Sequence, residues 1–274
     1  LTVGHVTRDA NQSRWQFGGT VFYSSLTAQH LGMRVTAVTR MGAEDGDTLS
    51  VSHRGVHWLP KPSPASTVMR NTYRRGNRIQ HAPVIAPPLD RADFAGLRTE
   101  FAVVHLAPIA GELSPDLLPH VPPADLTGLT GQGMLRRVGI DGRVHGQSWP
   151  DPGEFLEAID VLVLSDEDIR IDSEGGLNHL RRVPIGVLTQ GHQPVRVFSA
   201  GREFETPVRA IVGGQQTGAG DVFAATLFVA LHRTGALGAS SQAAATLATR
   251  WVESGSAKSF PTVTDLEDAL QHLQ

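Results

Sequence analysis

The stretch Gly213-Gly214-Gln215-Gln216-Thr217-Gly218-Ala219-Gly220-Asp221 runs without a break into Val222-Phe-Ala-Ala-Thr-Leu-Phe-Val-Ala-Leu231. A glycine-rich turn thus feeds an apolar helix. The first amides of a helix lack intrahelical acceptors and sit at the positive end of its dipole, so the N–H groups of Gly218, Ala219 and Gly220 form a cradle for an anion, phosphate above all. Glycine lets a ligand approach the backbone closely. Asp221 is then out of place, because a bound anion repels it, unless it takes a proton from a hydroxyl that attacks phosphorus. The plainer reading is a capped helix with a favourable first-turn acid. A Walker lysine-and-serine ending is absent, and so is a spaced glycine fingerprint after the first strand.

Composition narrows the chemistry around this turn. The chain has 274 residues, 24 basic and 27 acidic side chains, a net charge of −3 and no cysteine. That length can bury a full core without staples. Thiol catalysis, disulfides and cysteine metal sites are excluded. Lys61 and Lys258 are the only two lysines, and Lys61 lies in a proline-rich stretch. Phosphate, if it is handled, must be held by backbone amides and arginine. The near-neutral balance argues against a nucleic-acid partner, and no apolar run reaches the roughly 18–20 residues of a membrane helix. The expectation is a soluble, cytoplasmic protein.

Outward from the turn, β and α patterns alternate. Leu1–Val6, Arg34–Arg40, Phe101–Leu106, Asp125–Leu129, Val161–Leu164 and Ile185–Leu188 are apolar runs of strand length. Helical patterns at Ser24–Leu31, Pro152–Ile159 and Gly176–Arg182 fall between them. Short, nearly continuous apolar strands separated by helices describe a parallel sheet covered on both faces. Residues 10–17 and 66–83 break the rhythm as polar, strand-prone segments, the second a hairpin turning at Arg75-Gly76-Asn77, and read as a projecting flap. Pro194–Phe198 and Phe204–Val208 read as a late antiparallel pair. No composition shift marks a second domain, so 1–274 reads as one unit.

Thr217-Gly-Ala-Gly-Asp221 before an apolar helix resembles the signature of the ribokinase-like (PfkB) carbohydrate kinases, and the resemblance extends over essentially the whole chain. Asp9 resembles the substrate-binding aspartate of the family. Gly18-Gly19 before a helix and Leu31-Gly32 resemble its first signature, continued by Arg40-Met-Gly-Ala-Glu-Asp-Gly46. Ser165-Asp-Glu-Asp168 lies where the family has Asn-x-x-Glu, and Val187-Leu-Thr-Gln-Gly191 resembles the nucleotide-contacting strand end. The resemblance implies a doubly wound, mostly parallel α/β sheet with helices on both faces and a small β lid. It implies a kinase that moves the γ-phosphoryl group of ATP to a hydroxyl of a sugar, cyclitol or related polyol. Asp221 would be the base and Gly218, Ala219 and Gly220 the anion hole. Asp9, Gly18, Gly19 and Tyr23 would meet the substrate. Ser165, Asp168, Thr189, Gly191 and Thr217 would line the donor side, with Asp168 acting on Mg²⁺ through water. Lid strands pair between subunits in this family, which implies a homodimer; an exposed flap edge is an independent reason to expect pairing.

The departures from the pattern carry information too. Tyr23 stands where many members have asparagine, a change closer in character to inositol-kinase-like members. Gln215 replaces an aspartate that helps hold a monovalent cation, so no such cation is carried over. Ser165 and Asp168 are shorter than Asn and Glu. Together these departures motivate an alternative, a sugar- or nucleoside-binding protein of the same fold without turnover. Other clusters say less. His53 and His57 have Gly55 between them and no third ligand. Arg70, Arg74, Arg75 and Arg78 read as a solvated flap face or a charge-screening lid. Gln132 and Arg136 follow a strand end, where a ligand contact and a plain loop are equally compatible.

Overall fold

Val161, Leu162, Val163 and Leu164 are all buried, yet they do not enter one core. Leu162 and Leu164 join an apolar cluster with Leu129, Leu180 and Phe155, whereas Val161 and Val163 pack with Phe223, Leu227 and Phe228 on the other side. Side chains alternate across a strand, so a run without polar breaks requires cover on both faces. The computed structural model, which describes residues 1–11, 14–74, 77–211, 217–254 and 259–271, shows that cover.

The chain begins in mid-sheet with β1 (Thr2–Val3), leaves through β2 (Thr7–Asn11) and β3 (Arg14–Gly18), and returns by α1 (Thr20–His30) to β4 (Thr36–Met41). It continues through α2 (Ala43–Ser52) to β5 (His57–Pro62) and out again into β6 (Thr67–Arg74) and β7 (Asn77–Val84). Next come β8 (Phe101–Leu106), β9 (Ala124–Thr130), a small hairpin β10 (Arg136–Val138) and β11 (Val144–Gly146), then α3 (Gly153–Ala158), β12 (Val161–Ser165), α4 (Ser173–Arg182) and β13 (Ile185–Gln190). The antiparallel β14 (Gln193–Ser199) and β15 (Arg202–Thr206) precede α5 (Ala219–Thr234), α6 (Leu237–Ser254) and α7 (Val263–Gln271).

Among the described residues the strands form a nine-stranded sheet in the order β15-β14-β13-β12-β9-β8-β1-β4-β5, parallel from β13 to β5, and a four-stranded lid in the order β3-β2-β6-β7. α1, α5 and α6 cover one face, while α3, α4 and short 3-10 turns cover the other. This is the doubly wound α/β architecture with a β lid that the sequence implied. The order reverses between β1 and β8, and a ligand in an open α/β sheet lies at the carboxyl ends of the strands beside such a reversal.

Several expectations change in detail. The opening strand is only Thr2–Val3, and Asp9 belongs to the lid strand β2. Gly4 marks the break: at φ 149° a Cβ there would stand 2.4 Å from the Ala107 carbonyl oxygen just past β8, so only glycine fits where the chain leaves the sheet. The first flap segment starts earlier than 10–17, in strands Thr7–Asn11 and Arg14–Gly18, and the second, Thr67–Arg74 with Asn77–Val84, is shifted one residue from 66–83. Its Arg75-Gly76 turn lies outside the described residues, as do the side chains of Arg74, Arg75 and Arg78. The segment after β9 is a 3-10 turn leading into the hairpin β10–β11, which joins the lid through a bridge between Arg143 and His81. His53 ends α2 and His57 opens β5; among the described residues no cluster of His, Asp and Glu could hold a metal. No helix of the described residues is long and apolar enough to cross a membrane.

Candidate active site

A cleft of about 890 Å³ runs along the carboxyl ends of the parallel strands, from the lid to the β13–β15 edge. That is near the upper end of small-molecule pockets, room for two small ligands side by side. Thr7, Asp9, Met69, Asn71 and Gln80 face it from the lid, and Ile109, Gln132, Ser165 and Gly191 from successive strand ends. Thr217 to Asp221 form its middle wall.

At the lid end Asp9 is held on two sides. Thr7 Oγ1 donates to Asp9 Oδ1 at 2.7 Å, and the carboxylate lies over Gly18, where a Cβ would stand 2.2 Å from Oδ2. Gly18 is therefore a close-approach glycine: any side chain would displace the carboxylate. Burial raises the proton affinity of Asp9, and the Thr7 hydrogen bond opposes that rise. Gly19 caps α1 at φ 85°, and its Cβ position is crowded by the His5 carbonyl and by Thr7.

In the middle of the cleft the chain enters α5 through Gly218 at φ 85°, a left-handed conformation that favours glycine. The first intrahelical bond runs from the Val222 amide to the Gly218 carbonyl at 2.8 Å, leaving the amides of Ala219, Gly220 and Asp221 without acceptors inside the helix. Asp221 sits in this first turn. Burial pushes its carboxyl up to about 7, the Thr20 hydroxyl and the Arg136 guanidinium pull it down, and the Asp9 and Asp168 carboxylates add to the rise. A carboxylate with that proton affinity is matched to general-base work near neutral pH. Tyr23 packs its ring on Gly218, and its buried hydroxyl makes no hydrogen bond of normal geometry.

Toward the sheet edge Asp168 is the centre of a polar knot. Oδ2 accepts from the Ser165 amide at 3.1 Å and from the Ser165 hydroxyl at 2.6 Å. Oδ1 accepts from Arg136 at 3.3 Å, and the same guanidinium donates to Gln80 Oε1 on the lid at 3.1 Å. Gln80 in turn donates to Asn71 Oδ1 at 3.2 Å. Thr189, the residue before the last of β13, places its hydroxyl on the Leu164 carbonyl at 3.4 Å, and Gly191 turns the chain into β14 at φ 61°. Beyond them an apolar wall is built by Val195, Val208, Ile211, Ala245, Ala248 and Val252.

These positions decide the architecture. The chain has the ribokinase fold. A sulfate complex of a pyrophosphate-dependent kinase in the ribokinase family superposes with a TM-score of 0.81 at 22% identity, covering 97% of this chain and 98% of that one. The Burkholderia thailandensis nucleoside kinase in complex with inosine gives 0.72 at 14% identity, over 100% and 97%. A putative ribokinase II from E. coli in complex with ATP and Mg²⁺ gives 0.67 at 16% identity, over 99% and 98%. No family sequence model and no curated protein sequence matches the chain.

Within this ribokinase fold, the described residues that the resemblance assigned to substrate, anion hole and donor border one cleft or support its walls, whereas His53, His57, Lys61 and Arg70 do not line it. Asp9, Gly19 and Tyr23 line its lid end with Gly18 beneath Asp9; Thr217 to Asp221, Ser165, Asp168, Thr189 and Gly191 line the rest. Gln215 lies outside the described residues. Sequence reasoning did not find Thr7, Asn71 and Gln80, whose proximity depends on how the lid folds back, nor Thr20 at the start of α1. It also missed Glu112, a buried carboxylate that accepts from the amides of His5 at 2.8 Å, Ile109 at 3.0 Å and Ala110 at 2.8 Å. Glu112 ties the exits of β1 and β8 together at the reversal point. Its only signal was an acid just beyond a strand end.

Proposed function

We propose that the protein is a small-molecule kinase that transfers a phosphoryl group to a hydroxyl of a sugar, cyclitol such as inositol, or related polyol. The observation that carries this reading is Asp221: a carboxylate of raised proton affinity, set beside the helix amides and between the Asp9 end and the Asp168 end of one cleft. Asp9 accepts hydrogen bonds from substrate hydroxyls and presents one of them to Asp221. Asp221 takes its proton as the oxygen attacks the terminal phosphorus and the bond to the leaving phosphate breaks. The amides of the Gly218–Gly220 turn oppose the charge on the transferred group.

ATP is the donor in the first reading, because the apolar wall from Val195 to Val252 suits a flat base beyond the phosphates. The second reading, pyrophosphate, is favoured by the higher TM-score to the pyrophosphate-dependent kinase and by Arg136, a largely buried cation facing the same cleft. Mg²⁺ fits as an ion carried by donor phosphates and water, since both Asp168 oxygens are engaged by Ser165 and Arg136. Asp168 would hold such an ion through water, and the ion would neutralise charge on the phosphate oxygens.

The test is phosphate transfer to a panel of inositols, sugars and nucleosides with ATP or pyrophosphate, each with Mg²⁺. Transfer that depends on one acceptor and one donor supports the reading. Tight acceptor binding with no transfer from either donor contradicts it and favours a binding protein of this fold.

A further inference from the structure

The turn that opens α5 is gripped by two side chains from other helices. Trp251, on α6, is 1% exposed and does not line the cleft. Its Nε1–H donates to the Thr217 carbonyl at 3.1 Å. Tyr23, on α1, presses its ring on Gly218, where a Cβ would stand 2.9 Å from the nearest ring carbon. The two rings meet edge to face with centroids 6.0 Å apart, and Phe260 packs against Trp251 at 4.7 Å.

A buried indole N–H needs an acceptor, and this one is supplied by the peptide that precedes Gly218. Fixing the Thr217 carbonyl fixes the plane of the Thr217–Gly218 peptide. The Tyr23 ring blocks movement of the Gly218 Cα. Together they hold the left-handed kink from which the amides of Ala219 and Gly220 project. Donors that stabilise a transferring group act only at about 2.7–3.1 Å from it, so a small rotation of this peptide removes their effect.

We propose that Trp251 is a positioning residue for the phosphate-binding turn, acting through the Thr217 carbonyl, with Tyr23 as the opposing wall. The proposal rests on the reading of that turn as an anion hole. Tyr23 then matters as much for the shape of the turn as for contact with substrate.

Trp251→Phe keeps a ring between Tyr23 and Phe260 but removes the Nε1–H. The expected result is a kcat lowered about tenfold, with the polyol KM and the acid limb of the pH profile unchanged. Phe260→Leu loosens the same cluster without touching the turn; it should lower thermal stability and leave kcat unchanged. Full kcat in Trp251→Phe, or an equal loss in Phe260→Leu at matched stability, would overturn the proposal. Should Trp251→Phe fail to fold, the native protein decides. Its indole N–H resonances, assigned through Trp15, Trp58 and Trp149 variants, are followed while pyrophosphate or a nonhydrolysable ATP analogue is added and binding is measured by calorimetry. A shift of the Trp251 resonance on saturation supports the proposal, and a resonance that stays still refutes it. This readout needs no turnover, so a protein that transfers no phosphate sinks the kinase reading while the indole response still judges the turn.

Discussion

Arg136 donates to Asp168 Oδ1 at 3.3 Å, with 11% and 6% of the two side chains exposed. The other arm of the guanidinium reaches Gln80, so one side chain joins the lid to the Asp168 end of the cleft. It also draws the Asp221 carboxyl downward. Arg136→Met is expected to move the acid limb of the pH–rate profile to higher pH and to weaken donor use by about 10–100-fold, the range expected for losing a charge-assisted contact in a water-poor site. Steady-state kinetics across pH, with donor and acceptor varied separately, checks both effects.

Gly18 leaves no room for a side chain beneath the Asp9 carboxylate. In Gly18→Ala the new Cβ would force Asp9 off its Thr7 hydrogen bond. The expected outcome is a polyol KM raised at least about tenfold with the donor KM unchanged, and a loss of about 1–3 kcal/mol in stability from overpacking. Isothermal calorimetry with the acceptor and urea unfolding measure the two separately.

The lid sheet ends at β3 among the described residues, and Trp15 on that strand is 41% exposed with the Arg8 guanidinium 4.1 Å above its ring. An unpaired strand edge next to an exposed aromatic side chain is a surface for pairing. A homodimer through the lid is therefore expected in sedimentation equilibrium at micromolar concentration, and Trp15→Lys should shift it toward monomer. A native protein that stays monomeric there contradicts the pairing.

Much of this was legible in the sequence because it rests on local rules. The apolar runs that became β8, β9, β12 and β13 read as strands covered on two faces, and the glycine turn at Thr217 to Asp221 reads as the helix start that α5 has there. Asp9 was legible as a residue but not in its place, because the first strand ends at Val3, just before Gly4, and Asp9 falls in the lid. The fork of Arg136 between Gln80 and Asp168 spans separations of 56 and 32 residues. Neither pairing has a sequence period, so no pattern reports it. Ala-rich α6, which supplies Trp251, gave no signal of its connection to a turn 34 residues earlier.

The pH dependence follows from the Asp221 carboxyl, whose folded value is about 7 against 3.8 for the free group, chiefly through burial. Only the ionised form accepts a proton, so kcat/KM should fall about tenfold per pH unit below 7 and level off above it. For stability the sign is opposite. Between about pH 4 and 7 the folded state holds a proton on this group that the unfolded state has lost, so stability falls as pH rises through that window. Thermal unfolding from pH 4 to 8 reads this slope, which is expected to flatten in Asp221→Asn.

That same substitution tests the central claim most directly. Asp221→Asn keeps the shape of the side chain, removes the proton acceptor and removes a charge that burial disfavours. At pH 8, with acceptor and donor saturating, phosphoryl transfer is predicted to fall by at least about 10²–10⁴-fold, with acceptor binding intact and stability raised by about 1–3 kcal/mol. Transfer by the variant within tenfold of the native protein would contradict the account.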